Sequence, residues 1–181
     1  MNDSERIHNR DYLHLLIAIR RKKENRNMTE YCIRRVIRNE EQDLKELRTI
    51  IQGIKGVWRI YHTVNLRDAD EAAKQTISSL ILHPVNNSRI DSIWKTNLMR
   101  SVCKAEKKYL VDIDTDREAI YLNTKKLLLD NDVIILKDIK TPNGWHLVTE
   151  QFDTRLVQNI GCVELHRDRY YFIELVLGED V

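Results

Sequence analysis

Glycine and proline are scarce in this chain, five and two among 181 residues. Both interrupt helices and strands, so their scarcity predicts regular elements joined by short connections. Cysteine is too sparse for a disulfide framework or a zinc module: Cys32, Cys103 and Cys162 are scattered and form no CxxC pair. A reducing, cytoplasmic setting is the expectation that follows. No apolar run is long enough to span a bilayer, and the stretch Tyr12 to Ile19 falls far short. The opening Met-Asn-Asp-Ser-Glu-Arg lacks the apolar region of an export signal, so no membrane partner is expected. An excess of one charge is missing too, since 30 Lys and Arg stand against 28 Asp and Glu. What the chain does have is Leu, Ile and Val throughout and a 42% hydrophobic content, enough for the core of a single domain over 1–181.

The distribution of charge is more informative than its sum. Arg20, Arg21, Lys22, Lys23 and Arg26 form one basic cluster, and Arg34, Arg35 and Arg38 another. Such clusters either meet phosphates or form solvated faces, here balanced by Glu40, Glu41, Asp43 and Glu46. The abundance of Ile, Asn, Lys and Arg suits a phage or mobile-element protein.

Periodicity and breakers give the elements. Residues 11–24 read as a basic helix, apolar in the middle and cationic at the end that faces the negative pole of the helix dipole. Residues 31–38 favour a strand, with a continuous helix through residue 52 as the competitor. Residues 40–52 form a helix with Leu44, Leu47, Ile50 and Ile51 on one stripe. Residues 57–65 alternate, setting Trp58, Ile60, His62 and Val64 against Arg59, Tyr61, Thr63 and Asn65. A helix over 68–82 stops at His83-Pro84. Asn86-Asn87-Ser88 suggests a loop, and 98–107 is a candidate helix. A strand over 109–114 leads to the capping-box pattern Thr115–Glu118 and a helix to about residue 129. Strands at 133–137 and 145–149 flank the turn Thr141-Pro142-Asn143-Gly144. Two more strands, 161–166 and 170–177, follow. The order predicts an α+β domain, a mostly antiparallel sheet covered by helices.

Three strands carry the chemistry. In Leu110-Val111-Asp112-Ile113-Asp114, alternation sends Val111 and Ile113 to the core and both aspartates to the other face. Adjacent carboxylates repel, and a divalent cation relieves that cost. A strand end that caps the next helix explains the same residues. Gly144 permits close approach of the backbone to a ligand, and His146 shares its face and can donate to a phosphate. A histidine satisfied within the fold is the alternative. In Cys162-Val163-Glu164-Leu165-His166, Glu164 faces away from Val163 and Leu165 and is a third carboxylate candidate. Asp168 competes for that place or is a turn residue.

Asp-apolar-Asp, then Gly-x-His after a turn, then an apolar-acidic pair, within about 55 residues, resembles the three motifs of the archaeo-eukaryotic primase (primase-polymerase) superfamily. The matching residues are Asp112 and Asp114, Gly144 to His146, and Val163-Glu164. The end of the strand at Val64-Asn65-Leu66-Arg67-Asp68 is similar to that of small members. The resemblance covers residues 31–177. Departures are Asn143 or Gly144 where the family often has serine, Glu164 where it usually has aspartate, and a short chain.

That resemblance implies a small member with an RRM-like catalytic core and metal-dependent nucleotidyl transfer from nucleoside triphosphates onto a nucleic-acid 3′-hydroxyl. Asp112, Asp114 and Glu164, with Asp168 as alternative, would hold Mg²⁺ or Mn²⁺. His146, Arg59, Asn65, Arg67, Gly144 and Arg167 would serve the nucleotide. A single-stranded DNA or RNA template, and a helicase or other replication protein, are the implied partners. Tyr61, Trp94 and Trp145 are candidates to stack bases. A non-polymerising accessory protein that binds nucleotide or nucleic acid on the same fold is the alternative. A metal-dependent nuclease has no supporting lysine near the aspartates.

Overall fold

The computed structural model describes residues 11–82 and 87–179. His83, Pro84 and Asn86 lie outside the described residues, so the expected stop of the second helix falls there.

The apolar run expected as a helix over 11–24 is instead extended. Strand β1 is Tyr12–Leu13, β2 is Leu15–Arg20, and a loop follows. The reason lies in what covers β2. Leu15, Ile17 and Ile19 enter one core cluster with Tyr61, Ala72, Leu98 and Phe172. Leu16 and Ala18 enter a second with Leu47, Ile51, Trp58 and Ile60. A central strand buried on both faces shows no polar alternation, and a short apolar run of this kind has no periodicity to separate it from a helix. Each leucine or isoleucine so buried contributes about 1.5–3 kcal/mol relative to exposure.

The first sheet has the order β10-β4-β2-β3, antiparallel throughout, with β3 Tyr31–Val36, β4 Gly56–Thr63 and β10 Tyr170–Gly178. Helix α1, Glu40–Gln52, lays Leu47 and Ile51 on one face, while Ile50 of the expected stripe is exposed. Asn39 caps it, accepting from the backbone N–H of Gln42 at 3.1 Å. Helix α2, Ala69–Leu82, and helix α3, Ile90–Leu98, cover the other face. The helix expected over 98–107 is replaced by a short 3₁₀ turn, Ser101–Cys103, and extended chain. The two-residue β5, Arg67–Asp68, pairs with β1.

The second sheet has the order β7-β8-β6-β9, with β6 Tyr109–Ile113, β7 Ile135–Thr141, β8 Gly144–Thr149 and β9 Val163–His166. Helix α4, Glu118–Asp130, joins β6 to β7, and a 3₁₀ turn at Thr154–Leu156 precedes β9. Strand order and direction are those of an RRM-like β-α-β-β-x-β sheet with its second helix reduced to that turn. The fold is α+β, as expected. The capping box is not formed: Thr115 Oγ1 accepts from Arg117 N at 3.3 Å, and Arg117 stands at the N-cap without a side-chain bond. Val111, Ile113, Leu128, Trp145 and Leu147 pack between α4 and one face. On the other face Leu110 and Val148 meet Val64 and Tyr171 of the first sheet. The chain then returns to the first sheet as β10, which lies against this face, and a cleft opens between the two sheets.

Candidate active site

Registration of the second sheet assembles the three expected strands. Asp112 pairs with His146 on β8 and with Glu164 on β9, so the three stand in one row. Leu110 pairs with His166 one step along the same face. Alternation thus does what the sequence predicted: Val111 and Ile113 are fully buried, while Asp112 and, just past the strand end, Asp114 line the cleft.

Asp112 is held from two sides. Its Oδ1 lies 3.4 Å from His146 Nε2, and its Oδ2 lies 3.8 Å from His166 Nε2. Burial alone would push its carboxyl up. Hydrogen bonding from the imidazole N–H groups of His146 and His166 outweighs that and holds it well below the usual carboxylate range. His146 is buried, and its Nδ1 accepts the backbone N–H of Phe172 at 2.9 Å. Nδ1 therefore carries no proton, and the ring's N–H is on Nε2, facing Asp112.

The cleft is small, about 110 Å³, and lies between unlike walls. Asp112, Asp114, His146 and His166 form one. Arg59 and Tyr61 of β4, Arg169, Tyr170 and Phe172 at the start of β10, and Arg21 and Lys23 of the loop after β2 form the other. Thr141 and Asn143 of the β7–β8 turn sit at its rim. Arg59 is buried and ion-paired to Glu24.

Several expected site residues are engaged elsewhere. Gly144 does not line the cleft: a Cβ there would fall 1.8 Å from the carbonyl oxygen of Ile113, so its close approach is to strand β6, not to a ligand. Asn65 is fully buried, accepting from Lys108 N at 2.8 Å and donating to Lys108 O at 3.1 Å, which fixes two chain segments together. Arg67 is buried and bidentate to Asp168 at 3.0 and 2.6 Å, which removes both the expected nucleotide contact and the alternative metal ligand. Arg167 is exposed and away from the cleft, which Arg169 lines instead. Glu164 is beside Asp112 in register, but its carboxylate is 76% exposed and lies 3.5 Å from His166. Of the aromatic candidates, Tyr61 reaches the cleft with its ring packed against Tyr170 and Phe172, Trp145 stacks on Tyr121 beneath the opposite face, and Trp94 lies in α3 against the first core cluster.

His166 and Arg169 line the cleft although the sequence did not single them out, and Arg21 and Lys23 line it as members of a cluster read as meeting phosphates or forming a solvated face. His166 had a signal, because period two puts it on the face of Glu164. Arg169 differs from Arg167 only by its place in the turn. Arg21 and Lys23 belong to the first basic cluster, which the sequence places at a helix end and the structure in a loop after β2. In the second cluster Arg35 pairs with Asp43 at 2.6 Å and with Glu46, the balanced arrangement.

Among the described residues no three His, Cys, Asp or Glu side chains converge to hold a metal ion. The two carboxylates at the cleft fit a narrower case. Mg²⁺ is commonly held by one or two carboxylates, with water and substrate phosphates completing its shell. Among the described residues no helix is long and apolar enough to cross a membrane. No protein-family model, curated protein or solved structure matches the chain.

Proposed function

We propose that the cleft carries nucleotidyl transfer of the primase-polymerase type, from a nucleoside triphosphate onto a nucleic-acid 3′-hydroxyl. The observation that carries this reading is the pairing of walls: Asp112 and Asp114 on one side, Arg21, Lys23, Arg59 and Arg169 on the other. A polyanion next to bare carboxylates is repelled, and cations alone would attract it without selecting chemistry. A carboxylate wall facing a cation wall suits a phosphate group that brings a divalent cation with it.

Asp112 and Asp114 would hold Mg²⁺ or Mn²⁺. Once bound, such an ion lowers the pKa of an attacking hydroxyl and neutralises charge on the leaving pyrophosphate. The chain's own groups do the rest. His146, with its proton on Nε2 by virtue of the Phe172 N–H, orients Asp112 and offers a donor toward the cleft. His166, backed by Glu164, fixes the second oxygen of Asp112. Arg169, with Arg21 and Lys23, neutralises phosphate charge, while Arg59, its charge offset by Glu24, offers a hydrogen-bond donor at the cleft. Glu164 is assigned to positioning His166 and is not a metal ligand in this scheme.

The test is primer synthesis and extension on single-stranded DNA with Mg²⁺ or Mn²⁺, comparing wild type with Asp112→Ala plus Asp114→Ala. Product made by the wild type and lost in the variant supports transfer. Nucleotide binding without product assigns the chain to a non-polymerising accessory role on the same fold.

A further inference from the structure

We propose that the loop over residues 21–28 is a preformed arm that grips the polyphosphate of a nucleoside triphosphate through Arg21 and Lys23. This deepens the nucleotide reading of the cleft and rests on it.

The loop is built to stay in place. Asn25 is buried, and its side chain is fully used: it accepts from Val57 N at 2.6 Å and donates to Val57 O at 3.0 Å and Arg21 O at 2.9 Å. Gly56, at φ +128°, makes room for this clamp, since a Cβ there would lie 2.7 Å from Asn25 Oδ1. The next residue back, Glu24, is ion-paired to Arg59 inside the cleft. Two consecutive residues thus tie the loop to β4, and the register of this tie puts Arg21 and Lys23 on the cleft wall.

These cations are unspent. Among the described residues neither Arg21 nor Lys23 has an ion-pair partner, in contrast to Arg35, Arg59 and Arg67. The Nε donor of Arg59, on a side chain more than nine-tenths buried, also lacks a hydrogen-bond partner, as do the Nε donors of Arg20 and Arg67 and both oxygens of the neighbouring Glu24. A buried donor left unsatisfied is costly, and since Arg59 lines the cleft, an anion bound there would serve it. The compact cleft and the carboxylates opposite favour a short polyphosphate with its cation over a strand of nucleic acid running through. A preorganised cationic loop also avoids the ordering cost that a floppy one would incur on binding.

The test uses the whole chain, inorganic tripolyphosphate and a nucleoside triphosphate as probes, and a single-stranded oligonucleotide in a separate arm, at one fixed salt concentration. Arg21→Ala with Lys23→Ala is compared with Lys22→Ala with Arg26→Ala, which removes equal charge from the same loop at exposed positions outside the cleft. Arg21→Lys with Lys23→Arg keeps the charge and guards against a folding defect. The expected result is a loss of tripolyphosphate and nucleotide affinity of about tenfold or more for the first pair, as for lost charge-assisted contacts. The control pair and the charge-keeping pair bind within a few-fold of wild type. Equal losses in the first and control pairs, no tripolyphosphate binding by wild type, or a loss confined to the oligonucleotide would each overturn the proposal. The two readings separate cleanly. Polyphosphate held through the arm without any product leaves the arm standing and removes transfer. Product formation with an arm variant that binds as wild type does the reverse.

Discussion

The backbone N–H of Phe172 donates to Nδ1 of His146 across the gap between the two sheets, at 2.9 Å. One hydrogen bond therefore joins the sheets, fixes the histidine tautomer and aims its remaining N–H at Asp112. Structural and chemical roles for His146 are thus one arrangement, since the satisfied histidine is also the one that presents a donor to the cleft.

Replacing His146 with phenylalanine keeps the ring volume and leaves the Phe172 N–H buried without its acceptor. A loss of about 1–3 kcal/mol in unfolding free energy is expected. For a chain of this size that corresponds to a melting temperature lower by about 2–4 °C per kcal/mol. Thermal and urea denaturation check it. An unchanged midpoint would show that the hydrogen bond does not hold the sheets together.

Arg67 and Asp168 form a bidentate pair 101 residues apart, with Arg67 only 1% exposed. Asp168→Ala strands a buried guanidinium and is expected to cost about 3–5 kcal/mol, whereas Arg67→Met with Asp168→Leu recovers much of that loss. Urea unfolding of the two singles and the double gives the coupling. A nucleotide-binding role for Arg67 predicts the opposite pattern, with little change in stability and a large loss of affinity.

His14 and His62 lie with ring centroids 4.6 Å apart. Burial, and then the neighbouring His62, push the His14 imidazole down to about 4 from its ordinary 6.5. Burial lowers His62 as well. Both groups bind protons more readily in the unfolded chain, so stability rises with pH between about 4 and 6.5 and falls on acidification through that window. His14→Gln is expected to flatten this dependence in part, with His62 supplying the remainder. Urea midpoints measured from pH 4 to 7 check the slope, and identical slopes in wild type and variant would exclude His14 as a source.

Much of the site was legible because strand alternation is a strong geometric rule. Asp112, His146 and Glu164 were assigned to one face by period two, and the ladder sets them side by side. Strand β2 was not legible. Its Leu15–Ile19 run is apolar on both faces because helices cover each, and the signal that separates strand from helix is then absent. That misassignment put Arg21 and Lys23 at a helix end instead of in the loop that brings them to the cleft, since cations suit either place. The engagement of Asn65 with Lys108 and of Arg67 with Asp168 depends on contacts 43 and 101 residues away, which no local pattern encodes. Gly144 is expected from the sequence to let the backbone approach a ligand, but the packed sheet shows that what it approaches is the Ile113 carbonyl.

Manganese binding followed by electron paramagnetic resonance, with and without a nucleoside triphosphate, decides whether the Asp112–Asp114 wall is a phosphate-dependent metal site. With two carboxylates and no third converging ligand among the described residues, wild-type protein is expected to bind Mn²⁺ weakly alone and firmly once nucleotide is present. Asp112→Asn with Asp114→Asn is expected to abolish the nucleotide-dependent fraction while leaving the fold intact. Nucleotide that brings no additional Mn²⁺ to the wild type, or Mn²⁺ and nucleotide held undiminished by the double variant, would contradict a metal and nucleotide-phosphate site at this cleft.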